Sequence, residues 1–260
     1  MSFLDHLEQL RWHIIRSLLA VILLAVLAFV FHDLVFNTVL LAPKNPNFYT
    51  NVQLCRLGEL VNINKLCINS EPLELINIKM AGQFALHIWV SIFAGIILAF
   101  PYIFSELWRF IRPALYEKEL KHTQGAVFFS SLLFLMGVLF GYFIIVPLSV
   151  HFLGSYHVSD QVVNQINLKS YVGTVTSITL AAGITFELPI LIYFLSKASL
   201  VTPAFLKKYR RHAIVLILLL AATITPPDIF SLFLVTLPLL LLYEVGIMIS
   251  RKIEKKLSKS

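Results

Sequence analysis

The stretch Ser17-Leu18-Leu19-Ala20-Val21-Ile22-Leu23-Leu24-Ala25-Val26-Leu27-Ala28-Phe29-Val30-Phe31 contains no charged side chain. Arg11 and Arg16 precede it, and His32 and Asp33 follow it. Such a run cannot face water on all sides, so it reads as the core of a membrane-spanning helix. No small-x-small cleavage site follows before His32, so the run is expected to be a retained first span and not a cleaved signal.

Working outward, five more apolar segments appear, at residues 73–104, 126–152, 171–196, 212–224 and 229–249. A full span needs about 20 residues, and 212–224 supplies roughly two-thirds of that. The composition agrees with a lipid-exposed chain: 58% of the 260 residues are hydrophobic and 13% are charged, against about 25% charged in soluble domains. The expectation is an all-α polytopic membrane protein with six transmembrane helices, forming a single domain over residues 1–260. Pro101, Pro147, Pro189 and Pro238 lie within or at the end of apolar segments, so several of these helices should be proline-kinked.

Orientation follows from the basic residues. With the N-terminus inside, sixteen of the 21 lysines and arginines fall in inside segments and five outside. The positive-inside rule therefore selects an N-in, C-in chain, and an odd number of spans would break the asymmetry. The net charge of +7 is accounted for by short clusters between apolar runs, not by a basic folded surface, so nucleic acid is not an expected partner. No Walker-type loop, zinc-ligand spacing or nucleophile elbow is present, so neither a cofactor, a metal nor a catalytic activity is expected.

The polar residues inside this apolar frame need reasons. Glu187 stands ten residues before Lys197, about 15 Å along a helix, which places it near the middle of the hydrocarbon layer. An acid there should be protonated, paired or hydrated, and such acids mark functional sites or satisfied bundle interiors. Asp228, after Pro226-Pro227, reads as the cap of the last helix. Glu244 lies late in the sixth span, within reach of the inside interface or a basic neighbour. The inside connector from Ser105 to Leu120 is dense in aromatics and holds Glu106, Glu117 and Glu119. These acids either pair within the connector or receive arginines from a partner. Cys55 and Cys67 share one outside segment and are expected to form a disulfide if that compartment is oxidising.

At this connector the sequence resembles the TatC family, the polytopic subunit of the twin-arginine (Sec-independent) protein translocase. The resemblance rests on His6-Leu7-Glu8-Gln9-Leu10-Arg11, Ala42-Pro43, Trp108 to Glu119 with Pro113-Ala114-Leu115-Tyr116, Phe186-Glu187-Leu188-Pro189, Thr225-Pro226-Pro227-Asp228 and Tyr243-Glu244-Val245-Gly246. It covers nearly the whole chain. It implies a receptor in the bacterial cytoplasmic (inner) membrane that recognises twin-arginine signal peptides of folded cargo. It also implies a multi-copy complex with single-span TatA- and TatB-type partners, driven by the proton-motive force. Carried over by position, Glu119 and Phe110 belong to the signal-peptide site, completed by Arg11 with Glu8 and Gln9. Glu187 is implied to contact a partner within the membrane, and Pro43 and Asp228 to lie on the outer face. The chain departs from the family at Gln9, where glutamate is usual, and in a longer outside segment over residues 46–70. The rival reading from the residues alone is a proton-coupled small-solute transporter using Glu187.

Overall fold

The computed structural model describes residues 3–61, 67–69, 73–111, 123–159, 161, 164–225 and 229–257. Helix dominates: α1 (Phe3–Val30), a π-helical turn (Leu34–Leu40), a 3-10 turn (Ala42–Lys44) and α2 (Tyr49–Val61) come first. The short strand β1 (Leu75–Ile76) precedes α3 (Gly82–Ile111) and α4 (Thr123–Phe140). A second π turn (Gly141–Ile145) joins α4 to α5 (Val146–Ser155), and β2 (Ile166–Asn167) pairs with β1. The chain continues through α6 (Leu168–Thr185), α7 (Leu188–Lys197), α8 (Pro203–Lys208), α9 (Arg210–Ile224) and α10 (Ile229–Leu257).

Five helical stretches among the described residues are long and apolar enough to cross a membrane: Leu7–Val30, Gly82–Ile111, Gly125–Ser155, Leu168–Lys197 and Ser231–Lys256. In lipid every backbone polar group must be satisfied within the chain, which is why these apolar runs form helices. The protein is therefore a polytopic helical membrane protein. Helix α9 has 15 residues, or about 22 Å at 1.5 Å per residue, short of the ~30 Å hydrocarbon core.

The second apolar segment starts later than hydropathy suggests. Leu75 and Ile76 belong to β1, and α3 begins only at Gly82. At the other end α3 runs on to Ile111, because helix continues past the apolar stretch into charged residues. Helix α2 begins just after the turn-forming residues Pro43, Asn45, Pro46 and Asn47. The four prolines divide into two kinds. Pro101 and Pro238 sit inside α3 and α10, and Pro147 sits inside the continuous helical stretch Gly125–Ser155, where it withholds an N–H from the preceding turn. Pro189 occupies the first turn of α7, where the missing N–H costs nothing.

Two compact units divide the chain, one of residues 1–42, 76–132 and 167–172, the other of residues 43–75, 133–166 and 173–260. The first is built on α1 against α3. Ser91, Gly95 and Ala99 are all buried and recur every four residues on α3. This small-residue stripe lets two helix backbones approach closely in a membrane. A Cβ on Gly95 would lie 2.8 Å from the Val21 carbonyl oxygen and 2.8 Å from the Ala25 amide nitrogen. In the same unit the buried Tyr171 hydroxyl donates to the Leu40 carbonyl at 3.0 Å, satisfying a group that the π turn leaves without a helical partner.

The second unit uses the same device. Gly137 and Gly141 meet Ala182 and Phe186 or Thr179, while Gly183 meets Phe134 and Val138. Pro147, four residues after Phe143, has no N–H to donate, and the Phe143 carbonyl accepts a hydrogen bond from the Thr50 hydroxyl of α2. Buried Ser196 of α7 donates to buried Ser250 of α10 at 2.8 Å. Tyr243 donates to the Leu206 carbonyl of α8 at 2.8 Å.

Candidate functional site

The residues that the sequence singles out for peptide recognition and that the structure describes all lie in the first unit, near the charged ends of α1 and α3. On α1, Glu8 and Arg11 form an exposed ion pair at 3.5 Å one turn apart. An exposed pair of this kind contributes only about 0–1 kcal/mol, so Glu8 remains available to a stronger cationic partner. Gln9 is half-buried. Successive helical residues differ by ~100° in direction, so Glu8 and Gln9 present their side chains differently. Phe110, in the last turn of α3, is half-buried, and its ring meets the His13 ring edge-on at 6.1 Å.

Behind this surface lies Glu106, the one charged residue among the fully buried side chains of the described residues. His13 Nδ1 lies 2.6 Å from Glu106 Oε2, and since a carboxylate only accepts, the imidazole donates. Arg109 Nη1 donates to Oε1 at 2.7 Å. Arg16 Nη1 approaches Oε2 at 3.9 Å. One carboxylate thus gathers three basic groups from two helices. The sequence places Glu106 in a connector. The structure places it inside α3, where it pairs with Arg109 of its own helix and with His13 of α1. His13 draws no attention in the sequence, because a histidine between two arginines near a membrane surface has no distinctive pattern.

Glu119 and Asp228 lie outside the described residues. Pro43 is buried in its 3-10 turn, and its carbonyl accepts from the buried Asn51 amide at 3.3 Å. Asn69 donates from its side chain to the Pro147 carbonyl at 3.2 Å. Cys55 of α2 and Cys67 are joined in a disulfide. The described residues from Pro43 to Asn69 are thus pinned within the second unit at the 3-10 turn, at α2 and at Asn69.

Glu187 occupies the break between α6 and α7. Its N–H donates to the Ile184 carbonyl at 3.1 Å, and its own carbonyl accepts from Ile190 and Leu191, each at 3.0 Å. Pro189 ends the incoming helix and starts the outgoing one. The half-buried Glu187 side chain therefore sits where the span is interrupted. Glu244 of α10 pairs with Arg210 of α9 at 2.5 Å, which is the basic neighbour expected for it.

Comparison with known proteins gives a consistent result. Residues 5–238 match the family model described as Sec-independent protein translocase protein (TatC). A Sec-independent protein translocase protein TatC of Blattabacterium sp. subsp. Periplaneta americana (strain BPLAN) is 40% identical over 98% of this chain and 97% of its own length. TatCy of Bacillus subtilis (strain 168) is 34% identical over 100% of this chain and 92% of its own length. Among solved structures, a crystal structure of the twin arginine translocase receptor TatC superposes with a TM-score of 0.71 at 32% identity, covering 96% of this chain and 99% of that one.

Proposed function

We infer the function from one premise: the chain belongs to the TatC family of Sec-independent protein translocase proteins. It is a receptor subunit of a protein translocase that recognises twin-arginine signal peptides. The observation that carries this reading is agreement in sequence and in fold, along nearly the whole chain, with a twin arginine translocase receptor. The transporter alternative gains no support, since the relatives are named as translocase proteins.

Finer assignments extend this reading. The chain forms one membrane domain, a reading that the match of a single family model to residues 5–238 supports. It crosses the bacterial inner membrane six times, with α9 as a short fifth span and both termini in the cytoplasm. The sixteen-to-five distribution of basic residues supports this orientation. So does the Cys55–Cys67 disulfide, which belongs in an oxidising compartment such as the periplasm. Glu119, Phe110, Glu8, Gln9 and Arg11 form the cytoplasmic signal-peptide site, with carboxylates receiving guanidinium groups in bidentate bonds. Glu187, at the interruption of its span, offers a hydrogen-bonding group to a single-span TatA- or TatB-type partner. Pro43 and Asp228 lie on the outer face. Several copies act together with these partners, and the proton-motive force drives export of folded cargo.

The test is export. The chain, produced with its TatA- and TatB-type partners in cells lacking their own translocase of this kind, should move a folded reporter bearing a twin-arginine signal. It should not move the same reporter with two lysines there. Equal export of both, or of neither, contradicts the reading.

A further inference from the structure

The basic residues that set orientation create a difficulty for recognition. Arg11, Arg16 and Arg109 crowd the ends of α1 and α3, while the ligand of the proposed site carries two arginines of its own. Like charges at a docking surface suppress binding. Arg11 has Glu8 beside it. Arg16 and Arg109, with side chains 54% and 61% exposed, have Glu106.

We propose that Glu106 is a positioning residue of the receptor surface, which cancels the charge of Arg109 and Arg16 and holds His13 against Phe110 so that a dicationic peptide can dock. The inference rests on the receptor reading given above. Its geometry is specific. Glu106 is 0% exposed, so no peptide can touch it. Its two oxygens are used separately, Oε1 by Arg109 on α3 and Oε2 by His13 and Arg16 on α1. It therefore ties the helix bearing Glu8, Gln9 and Arg11 to the helix end bearing Phe110. The ring that Glu106 holds, His13, is the one that packs on Phe110. A carboxylate in this place does two things that an amide cannot do together: it accepts from several cations, and it removes a unit of positive charge from beside the surface.

The experiment measures binding of a labelled twin-arginine signal peptide, and of its twin-lysine form, to the full-length purified chain at low and high salt. Glu106→Gln keeps the shape and loses the charge, and its abundance in membranes is checked first. Its affinity should fall about ten-fold at low salt. At ~1 M salt, where charges are screened beyond ~3 Å, the gap from wild type should close. Adding Arg109→Gln to Glu106→Gln should restore most of the low-salt affinity. Arg109→Gln alone should bind as tightly as wild type or tighter, and this arm stands even if Glu106→Gln does not accumulate. Unchanged affinity of Glu106→Gln overturns the proposal. So does a loss equal at both salts and not rescued, which marks a purely structural residue, or weaker binding by Arg109→Gln alone. If wild type itself fails to prefer twin arginine, the receptor reading fails, and that outcome is distinct from the others.

Discussion

Among single residues, Glu187 and Glu106 show what a sequence discloses about a buried acid. Glu187 is conspicuous because it is the only charged residue between Lys169 and Lys197, so its cost in lipid is evident from position alone. Glu106 is hidden because it stands among charged neighbours at the end of a span, where an acid looks solvated. Only the packing of α1 against α3 reveals that it is buried and shared by two arginines and a histidine. The two acids lead to different expectations. Glu187 sits at a break already held by backbone bonds from Ile190 and Leu191, so Glu187→Ala should leave insertion intact. Interhelical hydrogen bonds in membranes contribute about 0.6–2 kcal/mol, so the variant should weaken crosslinking to a single-span partner and lower export without abolishing either. Export and crosslinking at wild-type levels would make Glu187 a structural residue only.

For the helices and turns, the spans were readable because lipid demands long uninterrupted apolar helix, and that demand is written in composition. What composition could not locate were departures from regular helix. At the π turns Leu34–Leu40 and Gly141–Ile145, the hydroxyls of the distant Tyr171 and Thr50 donate to the Leu40 and Phe143 carbonyls. Helix α2 lies in a segment whose asparagines and prolines dominate any local reading. The close helix contacts were legible only in hindsight, as the stripe Ser91, Gly95, Ala99 and the pair Gly137, Gly141. The first of these makes a clear prediction. A side chain at Gly95 would press on backbone atoms of Val21 and Ala25, which cannot swing aside. Gly95→Leu should therefore cost about 1–3 kcal/mol. Gly173→Ala, where a Cβ would meet nothing within 4 Å, should be neutral or slightly stabilising. Thermal unfolding of both variants in detergent checks this, and equal midpoints would refute the close α1–α3 approach.

On the level of the whole molecule, the charge asymmetry and the disulfide are independent arguments for one orientation. The first concerns which loops stay inside, the second which compartment can oxidise a cysteine pair. Single cysteines at positions 207 and 56, in a background without Cys55 and Cys67, should separate cleanly. An impermeant thiol reagent added to intact cells should label position 56 and spare position 207. Labelling at 207 would invert the topology and, with it, the placement of the recognition surface. The stretch from Trp108 through Glu119 was readable as one of several motifs, yet Glu119 lies outside the described residues, so its role rests on sequence and on chemistry. Hydrogen bonds to charged groups contribute roughly 1.5–3 kcal/mol, which is about one to two orders of magnitude in affinity. The most direct measurement is the equilibrium affinity of the purified chain for a twin-arginine signal peptide, its twin-lysine form, and the twin-arginine form against Glu119→Gln. The first should bind tightly and the other two more weakly by about ten-fold or more, whereas equal affinity for the two peptides would overturn the assignment of this chain as a twin-arginine receptor.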